Sequence, residues 1–181
     1  NSSMASVIDS IVKQAGDTKK SMDWYRQKVR DATGSGTTAR GLIRQGKATS
    51  RPKFGIMNLF GYKATTYGEP FGVKYYDRFP LVLVFDFKPN GFIGCNMHYL
   101  PPLLRAKLMD EIDKARGINW KALSRIKEVK PTVKRYLYKH ISSKVVEIAD
   151  DEREIALFLP TERFKKESKL VVWGHSRSMI K

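Results

Sequence analysis

The stretch KYYDRFPLVLVFDFKPNGFIGCNMHYLPP, residues 74–102, decides the fold prediction. Its centre, FPLVLVFDF at residues 79–87, is a nearly continuous apolar run, which predicts a strand buried on both faces. The KPNG segment that follows predicts a tight turn, in which Asn90 and Gly91 supply a positive φ. FIGCNMHYL at residues 92–100 is the predicted return strand. The stretch therefore predicts a β-hairpin at the centre of the domain.

Outside the hairpin, the pattern favours helices. Pro101 and Pro102 end the return strand and suit the first turn of a helix. PTVKRYLYKHISS, which starts at Pro131, is predicted as a further helix, whereas SKVVEIA at residues 143–149 is predicted as a strand. We therefore predict an α+β fold with a small, mostly antiparallel β-core at about residues 54–99, wrapped by helices and preceded by an N-terminal helical arm.

The composition changes near residue 54 and predicts two regions. Residues 31–54, DATGSGTTARGLIRQGKATSRPKF, are rich in Gly, Ser and Thr and carry regularly spaced cations, which is typical of a flexible basic segment. We predict an N-terminal helical and basic flexible arm at residues 4–53. Residues 54–181 are predicted to form the α+β core domain, with basic C-terminal helices.

Charge is the strongest global signal in the 181 residues. The chain has 34 Lys and Arg against 18 Asp and Glu, a net charge of +16. Residues 1–53 carry a net charge of +7 and residues 101–181 carry +8, while residues 54–100 carry only +1. A positive field of this size attracts polyanions, of which nucleic acid is the commonest. The distribution predicts DNA as a partner, held by the segments that flank a nearly neutral β-core.

The cations group into three elements: the arm at residues 40–53, the segment at 125–139 and the C-terminal region. In the second element, Lys134 and Tyr138 would lie on one stripe of the predicted helix, where phosphates can follow the cations and a tyrosine can stack on a base. The predicted nucleic-acid-binding residues are Arg40, Arg44, Lys47, Arg51, Lys53, Arg125, Lys127, Lys130, Lys134, Arg135, Tyr138, Lys139, Lys165 and Lys166.

A metal-dependent nuclease is an alternative interpretation of the central stretch. Asp77 precedes the predicted strand, and Asp86 and Lys88 end it, in an order that resembles the acid and acid-x-Lys pattern of metal-dependent nucleases. The trio lacks a clear third acid, and Asp86 is explained equally well as the end of a strand. Cys95 and His98 are three apart on a strand and should face opposite sides, so no thiol–imidazole pair is expected. We predict no cofactor and no metal.

Four segments together resemble small proteins of T4-like tailed phages that act in the virion or in DNA packaging. They are SRPKFGIMNLFGYKA from Ser50, YYDRFPLVLVFDFKPNGFIGCNMHYLPPLLRAKLMDEI from Tyr75, KPTVKRYLYKHISSKVVEI from Lys130, and W-x-x-S at Trp173. The similarity spans roughly residues 50–176, and the DNA end protector family is the nearest named group. It implies a non-enzymatic protein that shields packaged DNA ends, but it assigns no functional residue here.

The resemblance also implies a location and partners. It places the protein in the phage virion or the host bacterial cytoplasm, with DNA and other phage virion proteins as partners. An alternative is a structural neck or baseplate component whose positive patches bind acidic partner subunits. No membrane partner is expected, because the sequence has no apolar run of about 18 residues.

Overall fold

The computed structural model describes Trp24, residues 27–28, Ile43, and residues 48–49, 51–64 and 75–181. Within the arm predicted at residues 4–53, Trp24, Gln27, Lys28 and Ile43 are helical, and Ala48–Thr49 form a short strand. Residues 4–23, 25–26, 29–42, 44–47 and 50 lie outside the described residues.

The strands of the described chain are β1 (Ala48–Thr49), β2 (Met57–Leu59), β3 (Tyr76–Asp77), β4 (Leu81–Lys88), β5 (Gly91–Asn96), β6 (Val133–Leu137), β7 (Val145–Ile148) and β8 (Phe164–Lys165). Six of them form a mostly antiparallel sheet in the spatial order β1-β7-β2-β4-β5-β6. A separate ribbon pairs β3 with β8. Only β2, β4 and β5 of the large sheet come from residues 54–99, so the sheet extends beyond the range predicted for the β-core.

Four α-helices accompany the sheet in the described residues, and the fold is α+β as predicted. They are α1 (Pro102–Lys114), α2 (Trp120–Leu123), α3 (Arg153–Phe158) and α4 (Lys169–Ile180). Proline in the first turn starts α1, as the sequence predicts. The Asn119 side chain caps α2 by accepting from the Ala122 amide at 2.9 Å. Short 3₁₀ turns lie at Met97–Tyr99, Lys127–Thr132, Tyr138–His140 and Asp150–Glu152.

Strand β4 is buried on both faces over its first five residues, which confirms the prediction from its apolar run. Leu81 and Leu83 face a core that includes α1 and α3. Val82 and Val84 face the opposite side, in a cluster rich in aromatic rings. Burying apolar surface in two layers makes this strand the main source of hydrophobic stabilisation in the sheet.

The helix predicted from Pro131 is wrong. Residues 133–137 instead form β6, an edge strand paired to β5, with a 3₁₀ turn on either side. Tyr136 explains the outcome, because its ring packs edge-on against Phe60 at 5.6 Å and beside Phe92 at the same distance. Tyr136 makes these contacts because it lies on the inward face of a strand. Tertiary packing therefore outweighs the preference for a helix that the spacing of the cations indicated.

Gly91 is required for close approach and not for turn conformation. The hairpin turn consists of Pro89 and Asn90, because Lys88 already pairs with Gly91. Neither Asn90 nor Gly91 has a positive φ, so that prediction is wrong. A Cβ on Gly91 would lie 2.0 Å from the Tyr136 carbonyl oxygen, which is backbone and cannot rotate away. Only glycine lets β6 approach β5 at this end.

We expect Gly91→Ala to destabilise the protein by about 1–3 kcal/mol, the usual range for overpacking a tight site. Gly174→Ala is the matched control, since a Cβ there meets nothing within 4 Å and alanine is the better residue within a helix by about 1 kcal/mol. Urea unfolding followed by circular dichroism should move the two midpoints in opposite directions. Equal midpoints for both variants would show that β6 does not need the glycine.

Candidate nucleic-acid interface

Four segments of chain lie side by side at one end of the sheet and build the candidate site. Backbone hydrogen bonds join them in order: the Ser142 amide donates to the Gly61 carbonyl at 2.9 Å, and the Tyr62 amide donates to the Arg78 carbonyl at 2.8 Å. The Arg78 amide donates to the Arg163 carbonyl at 2.7 Å. Residues far apart in sequence therefore present side chains to the same surface.

A cavity of about 580 Å³ opens over these four segments. Each contributes to its wall: Lys63, Arg78, Lys165 and the pair Ser142 and Ser143. Gly61, Tyr62, Tyr76, Phe79 and Ile43 complete the described lining. No carboxylate is among the described lining residues, so the wall combines three cations, two hydroxyls and an apolar floor. We call this cavity the basic cavity.

The cations of the basic cavity differ from many others on the described surface. Lys63, Arg78 and Lys165 are exposed, and none of the three forms an ion pair with a described carboxylate. Other cations are neutralised locally: Lys53 by Glu147, Lys88 by Asp86, Lys107 by Glu128, Lys114 by Glu111, Arg153 by Asp113, and Lys169 by Glu162. The positive charge of the cavity therefore remains available to an external anion.

The two serines of the basic cavity have different roles. The Ser143 hydroxyl accepts from the Gly61 amide at 2.6 Å and donates to the Lys144 carbonyl at 2.8 Å, so it is committed to holding the loop. Ser142 is exposed, and its hydroxyl makes no hydrogen bond to another described residue. Its oxygen lies 2.8 Å from the place a Cβ on Gly61 would occupy. Ser142 therefore offers the cavity a free donor above a glycine.

Comparison with known proteins identifies the family of this chain. The sequence model of one family, described as the phage T4 terminal DNA protecting protein, matches residues 1–176. The chain belongs to this family. No significant match was found among curated proteins or among solved structures. Family membership confirms the resemblance to T4-like DNA end protectors, and it associates the chain with a bacteriophage and with the protection of DNA termini.

Within this family member, the predicted binding residues do not gather in one place. Lys165 lies in the basic cavity, whereas Lys63 and Arg78, its two companions there, were not predicted. No cluster of cations marks them in the sequence, because each is an isolated cation in the nearly neutral central region. Arg40, Arg44 and Lys47 lie outside the described residues.

The residues predicted along the stripe at 125–139 separate in the structure. Lys134 packs its ammonium 4.2 Å from the centre of the Tyr99 ring, and burial lowers its pKa. Tyr138 is half-buried beside Phe92 and carries the Arg51 guanidinium 4.9 Å above its ring. Lys134 and Tyr138 therefore do not form the helical stripe that was predicted to contact DNA, because residues 133–137 form a strand.

The remaining predicted residues are exposed cations. Arg135 donates to the Asn90 side chain at 3.1 Å, and Lys53 forms its ion pair with Glu147 at 3.4 Å. Lys166 follows β8 with a φ of 74°. The others on the described surface are Arg125, Lys127, Lys130 and Lys139. These residues are placed to extend a positive surface, and their role in binding DNA stays a prediction.

The nuclease trio is not assembled. Asp77 is 2% exposed, and its carboxylate is enclosed by protein donors. Asp86 lies at the far end of β4 in an ion pair with Lys88 at 3.0 Å. Asp77 accepts from the Asn96 side chain, whereas Asp86 pairs with Ile93. Because Asn96 and Ile93 are three residues apart on β5, the two acids lie roughly 10 Å or more apart along the strands. No metal-binding group of three His, Cys, Asp or Glu residues occurs among the described residues.

Asp77, His98 and Thr161 have the connectivity of a catalytic triad but not its exposure. His98 Nδ1 lies 2.7 Å from Asp77 Oδ2, and His98 Nε2 lies 2.9 Å from Thr161 Oγ1. All three residues are at most 2% exposed, so no substrate reaches the threonine hydroxyl. The group joins β3, the turn after β5 and the chain before β8. Its function is therefore structural.

Two further features of the described residues bear on the chemistry of the chain. Cys95 is fully buried, and burial raises the pKa of its thiol to about 11, as expected for a packing residue. In the part of the chain that the structure describes, no helix is both long and apolar enough to span a bilayer.

Proposed function

We propose that this protein binds the ends of duplex DNA through contacts to phosphates and thereby shields those ends. The observation that carries the proposal is the basic cavity, in which three cations without described ion-pair partners converge with a free hydroxyl. The family description, a terminal DNA protecting protein, supports the same conclusion.

The chemistry of the cavity suits phosphate better than bases. Arg78 presents a planar fork of donors that matches two phosphate oxygens, while Lys63 and Lys165 act as mobile point charges. Contacts of this kind position a protein on DNA without reading its sequence. A protein that protects termini of any sequence needs this property.

Electrostatics would also bring the DNA to the site. The net charge of +16 produces a long-range attraction for a polyanion. The exposed cations outside the cavity, among them Lys127, Lys130 and Lys139, would hold flanking duplex after the first contact.

The test is a salt series of binding measurements on blunt linear duplex DNA. The variant Lys63→Gln/Arg78→Gln/Lys165→Gln should bind about tenfold or more weakly, because three charge-assisted contacts are lost. The slope of log K against log salt should become shallower, by about 0.9 for each phosphate charge that the three cations neutralise. A parallel digestion with a double-strand exonuclease should show fewer surviving ends.

The matched control is Arg116→Gln/Lys121→Gln/Arg177→Gln, which removes three exposed charges outside the cavity. It lowers the net charge equally, so it should reduce long-range attraction but leave the slope near that of the unsubstituted protein. Indifference of the unsubstituted protein to DNA at low salt would overturn the proposal and favour acidic protein partners. Equal losses in both triple variants would show that the cavity has no special role.

A further inference from the structure

We propose that the basic cavity distinguishes a DNA end from internal duplex by binding the terminal phosphate monoester of one strand. The inference rests on the proposed function and adds to it the chemical group that is recognised. The cavity's size, its charge and its free donors each support a terminal group over the continuous backbone.

The size of the cavity selects against duplex. A volume of about 580 Å³ lies within the usual range of small-ligand sites, which is about 300–1,000 Å³. It has room for a terminal phosphate with its sugar, but not for a double helix whose major groove alone is about 12 Å wide. An internal phosphate is flanked by sugars on both sides, so it can meet only the rim. A chain terminus has one such neighbour and can enter.

The charge of the cavity also matches a monoester. A terminal phosphate carries about −1.5 to −2 charges at neutral pH and three acceptor oxygens, whereas each internal phosphodiester carries one charge. Lys63, Arg78 and Lys165 supply three positive charges to one open cavity without a described carboxylate. An internal phosphodiester, with one negative charge, would leave more of the positive charge of the three cations unbalanced than a terminal monoester does. The dianionic end is therefore the better ligand.

The backbone positions that carry the donors are fixed by the fold, so no ordering of the main chain is needed on binding. The backbone of Arg78 is held by hydrogen bonds on both sides, through its carbonyl to Tyr62 and its amide to Arg163. The backbone of Lys165 is placed by the pairing of β8 with β3. Ser142 adds an uncommitted hydroxyl beside Gly61. Together these positions present cationic and neutral donors to three phosphate oxygens.

The experiment compares blunt duplexes of one sequence that carry a 5′-phosphate, a 3′-phosphate or only hydroxyls at their ends, with covalently closed circular DNA as the competitor. The unsubstituted protein should bind a phosphorylated end about ten- to a hundredfold more tightly than a hydroxyl end. The 5′ and 3′ substrates show which strand terminus enters the cavity. Affinity for the circle reports the phosphodiester backbone alone.

Ser142→Asp places a carboxylate among the three cations at an exposed position, so it should abolish the preference for phosphorylated ends. Its affinity for circular DNA should fall much less than its affinity for phosphorylated ends, since the circle offers the cavity no terminal phosphate. Ser178→Asp, the same change at an exposed site on α4, should keep the preference.

The possible failures are distinct. Equal affinity of the unsubstituted protein for phosphorylated and hydroxyl ends, with DNA binding intact, would overturn the terminal-phosphate proposal and leave the proposed function standing. The absence of binding to every DNA would overturn both. Retention of the preference in Ser142→Asp would place the recognition site outside the cavity.

Discussion

Arg105→Met should destabilise the protein by about 3–5 kcal/mol, the usual cost of removing one partner from a buried ion pair. Arg105 is fully buried in α1 and donates to the Leu100 carbonyl at 2.6 Å, the Leu157 carbonyl at 2.8 Å and the Glu162 carboxylate at 3.2 Å. Its guanidinium also lies 5.6 Å from the centre of the Trp173 ring. Methionine fills similar space but satisfies none of these acceptors.

The expected loss is large because the partners remain buried. Glu162 is 3% exposed, and after the substitution only the exposed Lys169, at 3.3 Å, would balance its charge. Two carbonyl oxygens would also lose their donors, at a cost of about 1–3 kcal/mol each if no water replaces the guanidinium. One side chain therefore holds α1, α3 and the segment before β8 in register.

Urea unfolding at neutral pH measures the effect, and Lys114→Met is the control. Lys114 lies on the same helix with a 76% exposed side chain and a marginal ion pair to Glu111, so its loss should change stability by at most about 0.5 kcal/mol. Adding Glu162→Gln to Arg105→Met should recover part of the loss, because the unpaired buried charge disappears. Equal midpoints for the two single methionine variants would contradict the assigned role of Arg105.

Local patterns predicted the elements whose causes are local. The apolar run of β4 and the proline that starts α1 both act through neighbours within a few residues. Strand β6 could not be found in this way, because the reason for its conformation is the packing of Tyr136 on Phe60, which lies 76 positions away in the chain.

The candidate site was less predictable than the fold for the same physical reason. Lys63 and Arg78 are isolated in sequence and Lys165 belongs to a distant basic segment, and only the order of the four hydrogen-bonded segments brings the three together. Some cations of the clusters predicted from the sequence pack inside the protein instead of facing solvent. Lys134, whose ammonium packs on the Tyr99 ring, is an example. A cation count therefore predicted a polyanion as the class of partner, whereas locating the candidate site required the sheet topology.

The Asp77 network gives the second large effect. The carboxylate accepts four hydrogen bonds: from His98 Nδ1 at 2.7 Å, from the Asn96 side chain at 3.0 Å, from the Phe79 amide at 3.0 Å and from the Arg163 amide at 3.3 Å. Asp77→Ala would leave these buried donors unpaired. We expect a loss of about 3–5 kcal/mol, since each orphaned buried group costs about 1–3 kcal/mol and the site relaxes only in part.

The same network predicts a pH dependence of stability. Burial alone would raise the pKa of Asp77, but attraction to the His98 imidazole and hydrogen bonds from His98, Asn96 and the Phe79 amide outweigh it and lower the pKa. The unfolded chain, with an ordinary pKa of about 3.9, therefore binds the proton first as the pH falls. The stabilisation is complete above about pH 5 and is lost as the pH falls toward the native pKa.

Asp77→Asn isolates the charge from the packing. It keeps a carbonyl acceptor, so its loss at pH 7 should be smaller than that of Asp77→Ala, and its stability should fall less between pH 5 and pH 3. Asp86→Asn, at the exposed end of β4, is the matched control and should keep the pH dependence of the unsubstituted protein. If Asp77→Asn and the unsubstituted protein lose equal stability over that interval, the acid sensitivity arises at other carboxylates. Glu162 is then the first to test, because its pKa is also lowered: burial opposes the shift, but the charge of Arg105 outweighs it.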